Sequence, residues 1–167
     1  MTQEAHTYTN QEIFRLLATI PDPEIPVITI EDLGVLRSVT REGDMVHICI
    51  TPTYSGCPAM KMIEQDIVSL LKEKGIEKVK VDMVYAPAWT TDWISDEAKE
   101  KLRRYGIAPP EKATADKSAI TGKPKHLACP RCGSKHVEMI SQFGSTACKA
   151  LYKCLDCKEP FDYFKCI

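Results

Sequence analysis

The last forty or so residues of this 167-residue chain carry six of its eight cysteines, and four of these form two Cys-x-x-Cys pairs. The pairs are Cys129/Cys132 and Cys154/Cys157, with 21 residues between them. Each turn can place two thiolates on one ion, and a hairpin between the turns can close a tetrahedral site. This spacing predicts a zinc-ribbon-like module over residues 125–167, with structural zinc as its cofactor. A segment of this length buries too little apolar surface to fold unaided. A bound metal would supply the missing stability.

Two further cysteines, Cys148 and Cys166, are surplus to a four-cysteine site. They could pack within the ribbon, serve as alternative ligands or be redox-active. The paired residues are the preferred ligands because their turns give good bite geometry. Zinc and iron both accept tetrahedral thiolates, so the sequence leaves the identity of the metal open.

The first hundred residues predict an α+β domain over residues 8–107. Apolar residues recur at helical spacing in three segments and alternate at strand spacing in three others. Their order, α-β-β-α-β-α, predicts a small two-layer sandwich that precedes the ribbon-like module. Asn10 is the expected cap of the first helix, while Ser95 and Gly106 should begin and end the last one. Residues 108–124, rich in Pro, Ala, Lys and Thr, predict a linker.

Charge and hydropathy narrow the classes of function. The net charge of the chain is −1, and residues 125–167 carry only +3. This tail does not favour nucleic acid binding, which requires a denser basic patch. No apolar run reaches the roughly 18 residues of a membrane span. The Cys-x-x-Cys pairs are typical of metal sites, and the first residues lack the pattern of a secretory signal. Both features predict a reducing compartment, so we expect a cytoplasmic protein. The oligomeric state, a homodimer included, stays open.

Three residues of the first domain are candidates for handling a metal. Cys57 ends a loop that opens a helix, where free amides and the helix dipole favour a thiolate. It could hold a transient iron ion or iron–sulfur cluster, or equally be a small buried cysteine. Asp22 and Glu24 lie in a proline-rich loop, where carboxylates act as ligands or acid–base groups or bond to loop amides. No residue is predicted to be catalytic.

Three motifs of this domain carry a family resemblance: DPEIP at 22–26, DLG at 32–34 and TPTYSGCP at 51–58. Over residues 10–107 the chain resembles the metal–sulfur cluster assembly family that includes SufT-like proteins. In that family the reactive cysteine closes the Thr-x-x-x-x-x-Cys-Pro loop, which implies Cys57 here. The acidic residues of the family's Asp-Pro-Glu loop fall on Asp22 and Glu24.

Three longer motifs extend the resemblance to nearly the whole chain: PAWTTDW at 87–93, FGSTACKALY at 143–152 and EPFDYFKCI at 159–167. With them the chain resembles the PaaD family, the accessory components of bacterial phenylacetyl-CoA epoxidase systems in phenylacetate degradation. The resemblance implies a non-enzymatic factor that helps mature an iron–sulfur or di-iron centre. Its partners would be the di-iron oxygenase subunit or the iron–sulfur flavin reductase subunit.

One alternative stays open within the same complex. The cysteine pairs also suit a rubredoxin-like electron-transfer component, in which a redox-active iron replaces zinc. Oxygenase catalysis by the chain itself is not expected, because it lacks a nucleotide-binding glycine motif and the Glu and Glu-x-x-His set of a di-iron bundle.

Overall fold

A computed structural model describes residues 7–111 and 126–165 of the chain. The helices and strands of these residues, in chain order, are α1 (Asn10–Leu17), β1 (Leu36–Glu42), β2 (Met45–Ile50), α2 (Ala59–Glu73), β3 (Val79–Met83), α3 (Asp96–Tyr105), β4 (Ile107–Ala108), β5 (Val137–Ser141), β6 (Lys149–Cys154) and β7 (Pro160–Phe164). The α+β class and the order α-β-β-α-β-α of the first part are confirmed. Residues 112–124 of the predicted linker lie outside the described residues.

The first sheet has the strand order β1-β2-β3. Strands β1 and β2 form an antiparallel hairpin, whereas β3 pairs with β2 in parallel. A parallel pair needs a crossover, and α2 provides it. Along β2 the residues Val46, Ile48 and Ile50 are fully buried, while the side chains between them are half-exposed. This alternation places one face of the sheet against the helices.

Helix caps are set by local side chains. The cap of α1 is Thr9 and not Asn10, so the predicted cap is wrong by one residue. Thr9 Oγ1 accepts from the Glu12 amide, and the Glu12 carboxylate accepts from the Thr9 amide, which satisfies two free donors at once. Ser95 caps α3, and Gly106 ends it with a φ of 95°. Both residues were predicted for these positions.

The second sheet has the strand order β4-β7-β6-β5 and draws on both parts of the chain. Strand β4 follows α3 directly and pairs in parallel with β7. Phe164 of β7 is 2% exposed and packs in the core of the first sheet, with its ring centroid 6.3 Å from that of Trp89. The two sheets therefore share buried contacts. No helix in the described ranges is long and apolar enough to cross a membrane.

Candidate functional site

The four paired cysteines converge in the second sheet region. The sulfur atoms of Cys129, Cys132, Cys154 and Cys157 all lie within 4.8 Å of one another. The separation is 3.8 Å between Cys129 and Cys157, and 3.5 Å between Cys132 and Cys154. A tetrahedral zinc with bonds of about 2.3 Å to sulfur sets its ligand sulfurs about 3.8 Å apart. These residues therefore fit a tetrahedral thiolate-bound metal, and we call them the four-cysteine cluster.

Backbone amides point at the sulfurs of this cluster. The N–H groups of Cys157 and Asp156 donate to the Cys154 sulfur and, together with hydrogen bonds from the Cys132 and Cys157 side chains, lower the pKa of Cys154 to about 6. In the first turn, Gly133 adopts a φ of 75° and donates its N–H to the Cys129 carbonyl at 2.8 Å. A left-handed residue after the second cysteine is what a tight Cys-x-x-Cys turn needs, and glycine adopts it without strain. The local sequence thus builds a turn whose amides favour thiolates.

Cys57 lies two residues before the start of α2, at the end of the loop over residues 51–58. Its sulfur accepts from the Ala59 amide and forms a hydrogen bond with the Tyr54 hydroxyl. Gly56 has a φ of 79°, and a Cβ built there would meet no atom within 4 Å. Glycine is therefore needed for the backbone conformation of the turn rather than for space. Sequence reasoning missed Tyr54, although it stands only three residues before the cysteine.

The surroundings of Cys57 affect its pKa differently from the prediction. Burial, followed by the nearby carboxylates of Glu24 and Asp22, raises the pKa of the Cys57 thiol. These effects outweigh the hydrogen bonds that favour its thiolate. The pKa of Cys57 therefore shifts in the direction opposite to the one predicted from its place near a helix N-terminus, because burial and two acidic neighbours disfavour the thiolate. A coordinated cation deprotonates a thiol directly.

The two acidic candidates have different environments. Asp22 is 7% exposed, and its Oδ1 accepts from the amides of Glu24 at 2.9 Å and Ile25 at 2.8 Å. Burial is the main cause that raises the pKa of the Asp22 carboxyl. These bonds fix the proline-rich loop. The Glu24 carboxylate instead lies beside a sulfur from the other end of the chain.

That sulfur belongs to Cys148, which lies apart from the four-cysteine cluster. Its Sγ is 3.6 Å from Glu24 Oε2 and 3.0 Å from Thr146 Oγ1. Cys148 is 5% exposed and belongs to the core that the first sheet and its helices form. The other surplus cysteine, Cys166, lies outside the described residues. The surplus of cysteines over the two pairs was the only sequence signal for this position.

A small cavity unites these groups. Cys57, Asp22, Glu24 and Cys148 all line it, and its volume is about 10 Å³. Such a volume is close to that of one water-sized sphere. The cavity can therefore accept a single ion or water, and it is far too small for a coenzyme A ester. We call these four residues and the cavity the mixed-donor site.

The DLG motif has a structural role in the described residues. The Asp32 carboxylate forms an ion pair with Lys101 of α3 at 2.9 Å. The Leu33 carbonyl accepts from Trp89 Nε1 at 2.7 Å. Gly34 has a φ of 72°, and a Cβ there would lie 2.9 Å from the Trp93 Cβ. The motif therefore holds the segment of residues 87–93 against the first sheet.

Two family models match separate parts of the chain. Residues 10–83 match the model of the family described as "Iron-sulfur cluster assembly protein", and residues 113–165 match "PaaD zinc beta ribbon domain". The "Fe-S protein maturation auxiliary factor" of Porphyromonas gingivalis (strain ATCC BAA-308 / W83) is 38% identical over 96 residues, which cover 56% of this chain and 90% of that protein.

The first part of the chain is similar in fold to domains of solved structure. The crystal structure of a domain of unknown function, DUF59, from Bacillus anthracis has a TM-score of 0.51 and 28% sequence identity. The match covers 56% of this chain and 90% of that one. The fold of the first sheet and its helices is therefore shared with that domain.

A further relative spans nearly the full length. The D component of the "Putative 1,2-phenylacetyl-CoA epoxidase" of Escherichia coli (strain K12) is 53% identical over 156 residues, which cover 93% of this chain and 92% of that protein. Such identity over both regions confirms the resemblance that the motifs indicated. The chain belongs to the PaaD family, the D components of phenylacetyl-CoA epoxidase systems.

Proposed function

We propose that this protein is an accessory factor of the phenylacetyl-CoA 1,2-epoxidase system, the ring-epoxidising monooxygenase of phenylacetate degradation. It assists maturation of the iron–sulfur or di-iron centre of a partner subunit and has no catalytic turnover of its own. The name of the Escherichia coli relative supports the system, and that of the Porphyromonas gingivalis relative supports the maturation role. The observation that carries the proposal is Cys57 in an ion-sized cavity beside two carboxylates.

The cargo of such a factor is an iron ion or iron–sulfur cluster. Cys57 supplies a soft sulfur donor and Glu24 a harder oxygen donor, while Asp22 holds the loop that presents Glu24. The Cys57 side chain is partly exposed, so a client protein can reach it. Few ligands and an accessible face allow the cargo to leave when client ligands replace them.

In the same proposal the four-cysteine cluster holds a structural zinc. Its four thiolates would fill a tetrahedral coordination sphere and leave no open position, which suits a fold-stabilising role. Zinc would crosslink the two turns. The rubredoxin-like alternative requires iron at these sulfurs. Protein purified without oxygen should therefore contain one zinc in this cluster and show no iron–thiolate absorption from it. An iron–thiolate spectrum that disappears in Cys129→Ala would instead favour the electron carrier.

Metal transfer into the clients tests the maturation role. The epoxidase subunits are produced in cells with the wild-type protein, Cys57→Ser or Cys49→Ser, and the oxygenase and reductase subunits are purified anaerobically. Cys49 is a matched control because it is also partly exposed but lies in β2, outside the residues that line the cavity. We expect Cys57→Ser to reduce the metal content of one subunit several-fold and Cys49→Ser to leave it unchanged. Full metal content in both subunits with Cys57→Ser would contradict the proposal.

A further inference from the structure

We propose that Cys148 joins Cys57 and Glu24 as the third ligand of a site for a thiophilic divalent cation, formed where the second sheet meets the first. The inference rests on the proposed function in one respect, since it takes Cys57 as a ligand of the cargo. It adds a residue from the other end of the chain. It also gives the ribbon region a part in holding the metal.

The backbone of the ribbon region fixes Cys148 in place. Cys148 immediately precedes β6, and its carbonyl accepts from the Lys165 amide at 3.0 Å, which continues the pairing of β6 with β7. Next to that amide, Phe164 packs against Trp89 of the first region. The sulfur therefore reaches Glu24 Oε2, 124 positions away along the chain, through an ordered contact between the two sheets.

The second sulfur and the carboxylate meet at the same cavity. Cys57 and Cys148 both line it together with Glu24, and its volume of about 10 Å³ leaves room for one ion-sized occupant. The Tyr54 hydroxyl, which bonds to Cys57, also lies within electrostatic range of Glu24 and Cys148. Three potential ligands from three separate segments thus line one small cavity. The Cys148 sulfur already contacts the Glu24 carboxylate, but among the described residues only the four-cysteine cluster has all of its ligand atoms close together, so a cation would have to draw Cys57 toward the other two.

The donor set defines the class of ligand. Two sulfurs and one carboxylate oxygen select iron, cobalt or zinc ions over magnesium or calcium, which prefer oxygen donors alone. Both thiols release their protons when the cation binds. The resulting site carries three negative charges against the two positive charges of the ion, and the neighbouring Lys149 adds a positive charge close to Cys148.

Three protein ligands leave a fourth tetrahedral position open, as in catalytic zinc sites. A ligand from the client can enter at this position. The metal then moves by exchange of ligands: each bond to Cys57, Cys148 or Glu24 breaks as a bond to the client forms. The oxidation state does not change, so the step needs no oxidant or reductant. The thiolates regain their protons from solvent.

Cobalt(II) is a suitable probe in the full chain. The four-cysteine cluster is first filled with one equivalent of zinc, which cobalt does not displace because divalent zinc binds such sites more tightly than cobalt does. Cobalt is then titrated without oxygen, and its sulfur-to-metal absorption band reports the number of thiolate ligands. X-ray absorption at the cobalt edge counts the sulfur neighbours in the wild-type protein, where no substitution can disturb the fold. We expect two sulfurs at about 2.3 Å.

Variants assign those two sulfurs. We expect Cys148→Ser and Cys57→Ser each to reduce the band to about half and to weaken cobalt binding by about tenfold or more. Cys49→Ser is the control and should change neither quantity. One sulfur neighbour in the wild-type protein, with a band that only Cys57→Ser removes, would overturn this inference and leave the proposed role of Cys57 intact. If the zinc-filled wild-type protein binds no cobalt, this inference fails, while the maturation role is decided separately by the metal content of the client subunits.

Discussion

The four-cysteine cluster and the mixed-donor site are both built on cysteine, but they differ in donors and in how the chain holds them. The cluster has four sulfurs within 4.8 Å of one another, contributed by two neighbouring turns. The mixed-donor site combines sulfurs and carboxylates from loops that are far apart in the sequence. A closed set of identical ligands suits a metal that belongs to the fold. An incomplete, mixed set suits a metal that arrives and leaves.

The difference extends to the source of stability. Around the first sheet, a continuous apolar core of helices and strands surrounds the mixed-donor site. The described core of the second sheet is much smaller, and two of its buried members, Cys129 and Cys154, are themselves cluster ligands. We therefore expect the first region to fold without metal and the second to depend on it.

Removal of the metal should produce the largest difference in stability between the two regions. A chelator applied to the reduced full chain should unfold β5, β6 and β7, because a structural zinc contributes on the order of 10–16 kcal/mol of apparent binding free energy. That amount is comparable with the total stability of a domain. Amide hydrogen exchange should show protection lost in these strands and kept in β1–β3. Retained protection in β5–β7 after chelation would contradict the assignment of a structural metal.

The contact between the regions should be sensitive to Phe164→Ala. Its ring is 2% exposed and packs against Trp89, so we expect a loss of about 3–5 kcal/mol and separate unfolding of the two regions. Tryptophan fluorescence follows the first region, since both tryptophans lie there, while circular dichroism follows the whole chain.

Phe143→Ala is the matched control for this prediction. Phe143 is 61% exposed and its ring lies 4.1 Å from the Lys165 ammonium, so its loss should change the free energy of unfolding by less than about 1 kcal/mol. If Phe164→Ala leaves the two urea transitions coincident and at the same midpoint, the regions do not depend on this contact.

Substitution of the glycine in the DLG motif should lower the free energy of unfolding by a smaller amount than Phe164→Ala. Gly34→Ala places a methyl group 2.9 Å from the Trp93 Cβ and also forces alanine into the left-handed conformation. We expect a loss of about 2–4 kcal/mol in urea unfolding. Gly43→Ala has a similar φ of 59° but no atom near its Cβ, so it should cost only about 1–2 kcal/mol. Equal losses would mean that the contact with Trp93 contributes nothing.

Sequence reasoning predicted those features that depend on local spacing. The element order follows from the periods of the apolar residues, and the four-cysteine cluster follows from two paired turns. The capping box of α1 was also local, since Thr9 and Glu12 have the required spacing, but Asn10 offered an equally good cap beside it.

The mixed-donor site depends on distances that no local pattern contains. Cys148 reaches Glu24 only because β7 packs against the first region. The raised pKa of Cys57 depends mainly on burial, followed by carboxylates from another loop, which the position at a helix end cannot reveal. Asp22 and Glu24 differ because the chain turns between them, so that one carboxylate caps amides and the other faces a sulfur.

Variants of Asp22 and Glu24 should have the smallest effects on stability. They distinguish a residue that holds the loop in place, Asp22, from a metal ligand, Glu24. Asp22→Ala removes two hydrogen bonds to buried or half-buried amides, so it should cost about 1–3 kcal/mol and weaken cobalt binding because Glu24 loses its orientation. Asp22→Asn keeps the accepting oxygen and should preserve both stability and cobalt affinity. Glu24→Gln should leave urea unfolding nearly unchanged but weaken cobalt binding. If Asp22→Asn instead impairs cobalt binding as much as Asp22→Ala, the charge of Asp22 matters more than its hydrogen bonds, and Asp22 belongs among the ligands.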